Sequence, residues 1–210
     1  SDYVVLEGDE YDSAFFDKRS KFIHYRPEVA IINNIEFDHA DIFDDLAAVK
    51  KTFGHFARLV PGNGLLLING DDGNCDKVAR SEAHCPVKRV GFGEKCDAKI
   101  TEVDYQAAGT RFRLEGEPYR IPLIGEFNLR NAAMAVCAAR QAGLTPDQIR
   151  AGLEGFVGVK RRQEVRGETS RGITVIDDFG HHPTAIREAI TGLRKKFEGR
   201  RLWAIFEPRS

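Results

Sequence analysis

The chain has 210 residues and a net charge of −1, with 42% hydrophobic and 30% charged residues. This is the balance of an ordinary globular protein, and it favours neither nucleic acid nor an anionic membrane as a partner. No apolar run approaches the roughly 20 residues that cross a bilayer, and no secretory signal is visible. None of the four cysteines forms a C-x-x-C pair. We therefore expect reduced thiols and a cytoplasmic location.

The first part of the chain alternates short apolar runs with helical patterns. The runs at 3–6, 29–35, 65–68 and 87–92 predict buried parallel strands, because they are continuous and rich in Val, Ile and Leu. Amphipathic periodicity predicts one helix that begins near Asp44 and another over residues 73–83. This alternation predicts an α/β fold with a mostly parallel sheet.

Two of these predicted strands end in acidic segments, at residues 7–12 and 36–41. The carboxyl ends of strands in open α/β sheets form ligand crevices, so we expect Glu7, Asp9, Asp38 and His39 to surround one crevice. Such a mixed oxygen and nitrogen set suits Mg²⁺ or Mn²⁺ shared with phosphate oxygens. Glu7 and His39 are the best metal candidates, although both could be ordinary surface residues at strand ends. The neighbouring acids could orient ligands or cap helices; they are Asp9, Asp12, Asp38 and Asp41.

The middle of the chain changes character. Three runs separated by turn residues predict a small antiparallel sheet; they are Lys99–Tyr105, Thr110–Leu114 and Tyr119–Leu123. An alanine-rich segment predicts a helix over Asn128–Ala142, and Thr145 begins another that runs to about Gly155. Spacing alone favours Asn128 as a helix cap. Asn131, one turn later, could hydrogen-bond the edge of a heterocycle.

The pattern restarts after Gly158. We predict strands near 162–168, 172–177 and 202–206, a helix from Pro183 to about Lys196, and a domain boundary near 157–160. Two or three strands and one helix cannot bury a full core. The second domain is therefore expected to be truncated, and the chain to be a fragment of a longer protein.

Two motifs in this last part carry polar chemistry. The basic triplet at 160–162 is either a solvated hinge or a phosphate clamp. The segment at 177–184 again leads from an apolar strand into acids, followed by two histidines and a proline. Asp178 suits a contact with a ribose or with a phosphate network, and at least one of His181 and His182 is expected to be structural. No G-x-x-x-x-G-K-[ST] phosphate loop occurs in the chain.

Taken in order, four blocks resemble the Mur ligase family, the ATP-dependent amide-bond synthetases of peptidoglycan assembly. These blocks are Glu7–Asp12, Asn34–Asp41, Asn128–Ala133 and Asp177–Thr184, with Arg162 between the last two. The run from Asp9 to Pro27, together with Phe179, is similar to the recycling branch, the murein peptide ligases. The resemblance implies a UDP-binding domain and a phosphate loop upstream. It also implies a central ATPase domain over 1–157 and the start of a Rossmann-like C-terminal domain over 158–210.

The resemblance also implies roles for single residues. Glu7 and His39 would bind Mg²⁺, and Asn128 and Asn131 would contact the adenine of ATP. Arg162 would hold phosphate, Asp178 the ribose or hinge network, and His181 would face the muramoyl substrate.

The implied reaction joins UDP-N-acetylmuramate to the murein tripeptide L-Ala-γ-D-Glu-meso-diaminopimelate through an acyl phosphate. Two alternatives remain open at this point. One is a UDP-N-acetylmuramate–L-alanine ligase, and the other is a catalytically silent nucleotide-binding fragment. The sequence gives no indication of the oligomeric state.

Overall fold

A computed structural model describes residues 3–106 and 108–207, and the chain folds as two compact units, 1–98 and 99–210. The first unit opens with a short antiparallel hairpin, β1 (Asp12–Ala14) and β2 (Asp17–Ser20), followed by a 3-10 helix over Lys21–His24. The elements that follow are β3 (Val29–Ile32), α1 (Leu46–Leu59), β4 (Leu65–Asn69), α2 (Gly73–Glu82) and β5 (Val87–Gly91). Strands β3, β4 and β5 pair in parallel in that order.

Both helices of this unit begin where an aspartate caps them. The Asp45 carboxylate accepts the Ala48 amide in front of α1, and the Asp72 carboxylate accepts the Asn74 and Cys75 amides in front of α2. Satisfying these otherwise unpaired amides stabilises each helix start. The apolar stripe of α1 then packs on the parallel strands in one continuous core. Phe22 of the 3-10 helix belongs to this core, with its ring 4.7 Å from that of Phe56.

The second unit contains an antiparallel sheet, three helices and a hairpin. Strands β6 (Ala98–Gln106), β7 (Gly109–Leu114) and β8 (Glu117–Ile121) pair antiparallel. Then come α3 (Glu126–Gln141), α4 (Pro146–Glu154), the antiparallel pair β9 (Glu164–Glu168) and β10 (Thr174–Asp177), and α5 (Pro183–Lys196). Helix α3 packs against α4, α5 and β7, and α4 packs against β8. A full capping box at Thr145 and Gln148 begins α4.

Two predicted strands are wrong. Residues 3–6 and 202–206 belong to no sheet in the part of the chain that the structure describes, and their side chains are largely exposed, up to 96% at Val5 and 100% at Ile205. A strand needs a neighbour that accepts its backbone hydrogen bonds, and a local apolar pattern cannot supply one. The remaining predicted helices and strands are confirmed within a few residues.

The division after Ala98 reflects local compactness. The domain boundary near 157–160 lies within the second unit and stays a prediction. Among the residues described, no helix is long and apolar enough to cross a membrane.

Candidate functional site

Five residues of the first unit form what we call the acid–histidine cluster: Asp9, Glu10, Tyr11, Asp38 and His39. The imidazole of His39 lies at its centre. Its Nδ1 is 2.8 Å from the Tyr11 hydroxyl and its Nε2 is 2.7 Å from Glu10 Oε1. Both ring nitrogens are therefore engaged by protein groups.

The backbone places His39 in the left-handed region, at φ 56°. Its amide donates to Asp38 Oδ1 at 2.8 Å, and its carbonyl accepts the amides of Ile42 and Phe43. This tight turn directs the imidazole back towards residues 10 and 11. An asparagine or histidine tolerates such a conformation better than a branched residue does.

Asp9 links the cluster to the helical turn that follows the hairpin. Its carboxylate lies 2.7 Å from Lys21 Nζ and accepts the Tyr11 amide at 2.9 Å. The bond to Lys21, and then that to the Tyr11 amide, lowers the pKa of Asp9 below its usual range. Asp9 is thus held as an anion by groups of its own segment.

Glu7 lies in the irregular, exposed segment before the cluster, and the carboxylate that meets His39 is that of Glu10. Within the described ranges, no three His, Cys, Asp or Glu side chains are arranged to hold a metal ion. In this arrangement both ring nitrogens of His39 already contact protein groups, so a metal ion would need Glu10 to move away from Nε2. The assignment of Glu7 and His39 as metal ligands stays a prediction. Glu10 and Tyr11 were missed, although both lie in the acidic segment that the sequence singles out.

The second unit brings two segments together in what we call the basic–aromatic loop, residues 160–163 and 177–182. The Arg161 guanidinium lies 4.5 Å from the centre of the Phe179 ring, and that of Arg162 lies 5.9 Å from it. The Phe179 amide donates to the Arg161 carbonyl at 2.8 Å. Two cations beside one aromatic face make a surface that suits an anionic ligand.

Asp178 joins the two segments. Its carboxylate accepts the Gln163 amide at 3.0 Å and the Gly180 amide at 2.7 Å. The predicted ribose contact is therefore a carboxylate that already holds two backbone amides. A contact with a nucleotide would use its remaining acceptor positions.

The tandem histidines separate into two roles. His182 is the N-cap of α5, where its Nδ1 accepts the Thr184 amide at 3.3 Å. Pro183 then occupies the first helical turn. His181 is exposed, with its ring 5.8 Å from that of Phe179 in an edge-on arrangement. Of the pair, His181 is the one placed to meet a ligand.

The two asparagines lie one turn apart at the start of α3. The cap position belongs to Gly125, at φ 118°, so the helix-cap reading of Asn128 is wrong. A glycine takes this conformation without a steric penalty, and Asn128 falls three residues into the helix. Its side-chain amide donates to the Ile124 carbonyl at 2.9 Å, whereas Asn131 is exposed. Their predicted contact with adenine is untested.

Comparison with known proteins identifies the family of the chain. The chain matches the Mur ligase middle domain over residues 1–139 and the Mur ligase glutamate ligase domain over 161–210. It is 45% identical, over its whole length, to the Escherichia coli UDP-N-acetylmuramate–L-alanyl-γ-D-glutamyl-meso-2,6-diaminoheptandioate ligase, of which it covers 46%. It is 33% identical over 99% of its length to the UDP-N-acetylmuramate–L-alanine ligase of Variovorax paradoxus, of which it covers 44%.

A solved structure supports the same grouping. The murein peptide ligase of Psychrobacter arcticus superimposes on 97% of this chain with a TM-score of 0.69 at 37% identity, and the chain covers 42% of it. The chain thus spans about half the length of the curated relatives it matches. The two family models together match most of the chain, and the chain belongs to the Mur ligase family.

Proposed function

We propose that the protein that carries this chain joins the murein tripeptide L-Ala-γ-D-Glu-meso-diaminopimelate to UDP-N-acetylmuramate at the expense of ATP, in cell-wall recycling. The observation that carries the proposal is the 45% identity over the whole chain to the E. coli ligase of that name. Identity to the muramate–alanine ligases is lower, at 33% for the V. paradoxus enzyme. A substrate that is a nucleotide sugar, together with four free cysteines, supports a cytoplasmic location.

The proposed reaction has two steps. The lactoyl carboxylate of UDP-N-acetylmuramate attacks the γ-phosphorus of ATP, which gives an acyl phosphate and ADP. The alanyl amine of the tripeptide then attacks the carbonyl carbon, loses a proton and expels phosphate. Arg162 would offset the charge that develops on the transferring phosphoryl group, and its exposed position beside Phe179 supports this role.

Further residues are proposed to bind the substrates. Asn128 and Asn131 would contact the adenine, since an amide both donates and accepts hydrogen bonds. Asp178 would contact the ribose through its remaining acceptor positions, and His181 would face the muramoyl group.

We also propose that Mg²⁺ accompanies ATP and that Glu7 and His39 bind it in the intact enzyme. Magnesium bound to phosphates takes few ligands from the protein. For His39 to be one of them, Glu10 would have to leave Nε2, where it now lies at 2.7 Å. When bound, the ion would neutralise phosphate charge.

The test is phosphate release by the intact protein with UDP-N-acetylmuramate and Mg-ATP, supplied with either the tripeptide or L-alanine. We expect turnover with the tripeptide alone. Turnover with L-alanine alone would refute the recycling assignment. It would support the alternative that the 33% identity leaves open, a muramate–alanine ligase.

The metal assignment has its own test. We expect Glu7→Ala and His39→Ala each to abolish phosphate release, and Glu10→Gln to retain it because residue 10 gives up its contact with Nε2 when the ion binds. Unchanged turnover in the two alanine variants would refute the assignment. Calorimetry of Mg-ATP with residues 1–210 alone would then show whether this portion of the protein binds nucleotide or is silent.

A further inference from the structure

The side chain of Gln163 spans the space between the basic–aromatic loop and α5. Its Nε2 donates to the Ala189 carbonyl at 3.1 Å, while its own amide donates to Asp178 at 3.0 Å. One residue is therefore tied at the backbone to the loop that carries Phe179, and at the side chain to the helix that follows it. A residue of a solvated hinge would make neither of these two hydrogen bonds, so Gln163 is not part of such a hinge.

The helix leaves room for this side chain at one position. Gly192 is buried in α5, one turn after Ala189, and a Cβ placed there would lie 2.9 Å from Gln163 Nε2. The same Cβ would lie 3.4 Å from the Ile124 carbonyl oxygen. Any residue larger than glycine would thus press on the Gln163 amide from the side of the helix.

The turn at residues 161–163, which these contacts hold, has an unfavourable backbone conformation. Arg161 and Gln163 both lie in the left-handed region, at φ 59° and 49°, on either side of Arg162. Residues other than glycine hold this conformation when the surroundings over-determine it. The contacts that do so include the two of Gln163, the bond from the Arg161 amide to Glu164 at 2.8 Å, and the bond from the Phe179 amide to the Arg161 carbonyl.

The same turn separates the tasks of the two arginines. Arg161 lies over Phe179, and its Nε is 3.7 Å from Asp177 Oδ2, so its charge is partly met within the protein. Arg162 lies farther from the ring, and the side chains of both arginines are exposed. A relaxed turn would let the two side chains exchange these positions.

We propose that Gln163 is a positioning residue that braces the left-handed turn at 161–163 against α5, so that Arg162 and not Arg161 faces the phosphate. The proposal rests on the proposed ligase function. Gln163 is thereby added to the proposed catalytic machinery as a residue that touches no substrate and acts through Arg162. The glycine at 192 is the second half of the brace.

The first experiment is a double-mutant cycle in the intact enzyme. We expect Gln163→Ala to lower kcat roughly tenfold, since small misplacements of a charge-stabilising group are costly in the transition state. The KM for UDP-N-acetylmuramate should stay unchanged. In an Arg162→Ala background the same substitution should change kcat by less than about twofold. Additive losses would overturn the proposal.

A second cycle tests the brace itself. Gly192→Ala should lower kcat in the wild-type background and have no further effect together with Gln163→Ala. The matched control is Gly152→Ala in α4, where an added Cβ meets nothing within 4 Å. It should leave kcat unchanged. Independent losses from Gly192→Ala and Gln163→Ala would show that the helix acts through packing alone, and would overturn the proposal.

A third experiment measures the local opening of the turn at 161–163 and does not depend on enzyme activity. Trypsin cleavage of the intact protein after Arg161 and Arg162 should become at least about fivefold faster in Gln163→Ala, because a released turn opens locally. An unchanged cleavage rate would contradict the brace. A wild-type enzyme that lacks ligase activity would refute the proposed function, whereas an active enzyme that is indifferent to Gln163→Ala would refute this inference alone.

Discussion

In the acid–histidine cluster the central imidazole is held by side chains, whereas in the basic–aromatic loop the central carboxylate holds the backbone of two segments. His39 meets Glu10 and Tyr11 through its ring nitrogens, and its backbone turn is local. Asp178 instead binds the amides of Gln163 and Gly180, which belong to two separate segments. Side-chain contacts like those of His39 can exchange partners when a ligand binds. The hydrogen bonds of Asp178 instead fix the backbone that carries Arg161, Arg162 and Phe179.

The difference indicates which kind of substitution each region tolerates. In the acid–histidine cluster a changed side chain alters a local contact and leaves the core of the unit in place. In the basic–aromatic loop, replacing the Asp178 carboxylate removes hydrogen bonds to the backbone of both segments at once.

The largest effect is expected where the acid–histidine cluster is anchored to the core. Phe22 is 1% exposed and packs on Phe53 and Phe56 of α1. Phe22→Ala should reduce the free energy of unfolding by about 3–5 kcal/mol, through lost burial and a cavity. Unfolding in denaturant measures this loss of stability. The control Phe16→Ala removes a ring that is 91% exposed and should cost little; an equal cost for both would show that Phe22 is not an anchor.

The next effect concerns Asp178. Asp178→Asn keeps one acceptor oxygen but places an NH₂ group against one of the two amides that the carboxylate now accepts. We expect the local opening free energy at Gln163 and Gly180 to fall by about 1–3 kcal/mol, read from amide hydrogen exchange. The neighbouring Asp177→Asn weakens a 3.7 Å ion pair and should leave both amides protected. Equal exchange in the two variants would remove the contrast drawn above.

A smaller effect is expected at the imidazole. Tyr11→Phe removes the hydroxyl that lies 2.8 Å from His39 Nδ1 and keeps the ring that packs edge-on against it. The free energy of unfolding should fall by about 0.5–1.5 kcal/mol, measured in urea. Tyr25→Phe, at a half-exposed ring, provides the comparison and should cost less. A loss as large as that of Phe22→Ala would mean that the cluster itself supports the core.

The smallest effect depends on pH. Burial raises the pKa of Asp76, but Arg89 and Arg80 outweigh it and leave the pKa below its ordinary value of 3.8. The folded state therefore favours the anion, and its contribution is present above that value and lost as the pH falls below it. Asp76→Asn should cost about 0.5 kcal/mol at pH 7 and less at pH 3.

Thermal unfolding at both pH values measures this difference. The control is Lys77→Gln, an exposed residue of the same helix, which should leave the dependence on pH unchanged. A cost for Asp76→Asn that grew on acidification would reverse the sign and refute the ion pair as its cause.

Periodicity and turn chemistry predict most of the fold. The helices α1, α2, α4 and α5 begin at or next to residues that cap or start helices, and their amphipathic stripes continue to the observed ends. The antiparallel strands β6, β7 and β8 follow from turn residues between short apolar runs. These signals are local, so a single sequence carries them.

The errors arise where the outcome depends on distant residues. The runs at 3–6 and 202–206 have the composition of strands and no strand beside them in the described chain. Asn128 has the chemistry of a cap, yet Gly125 takes that position because the backbone there has φ 118°. The carboxylate that reaches His39 is that of Glu10, since the segment before it is not a strand and does not present Glu7.

By itself the sequence determines the family, most of the helices and strands, and the segments in which the polar chemistry lies. The tertiary structure alone decides which member of each segment meets which partner: Glu10 and Tyr11 on His39, Asp178 on two amides, and Gln163 on α5 beside Gly192. The reason is the sequence separation over which each interaction acts. Capping and periodicity act over a few residues, whereas a hydrogen bond between residues far apart in the chain exists only after packing has brought them together.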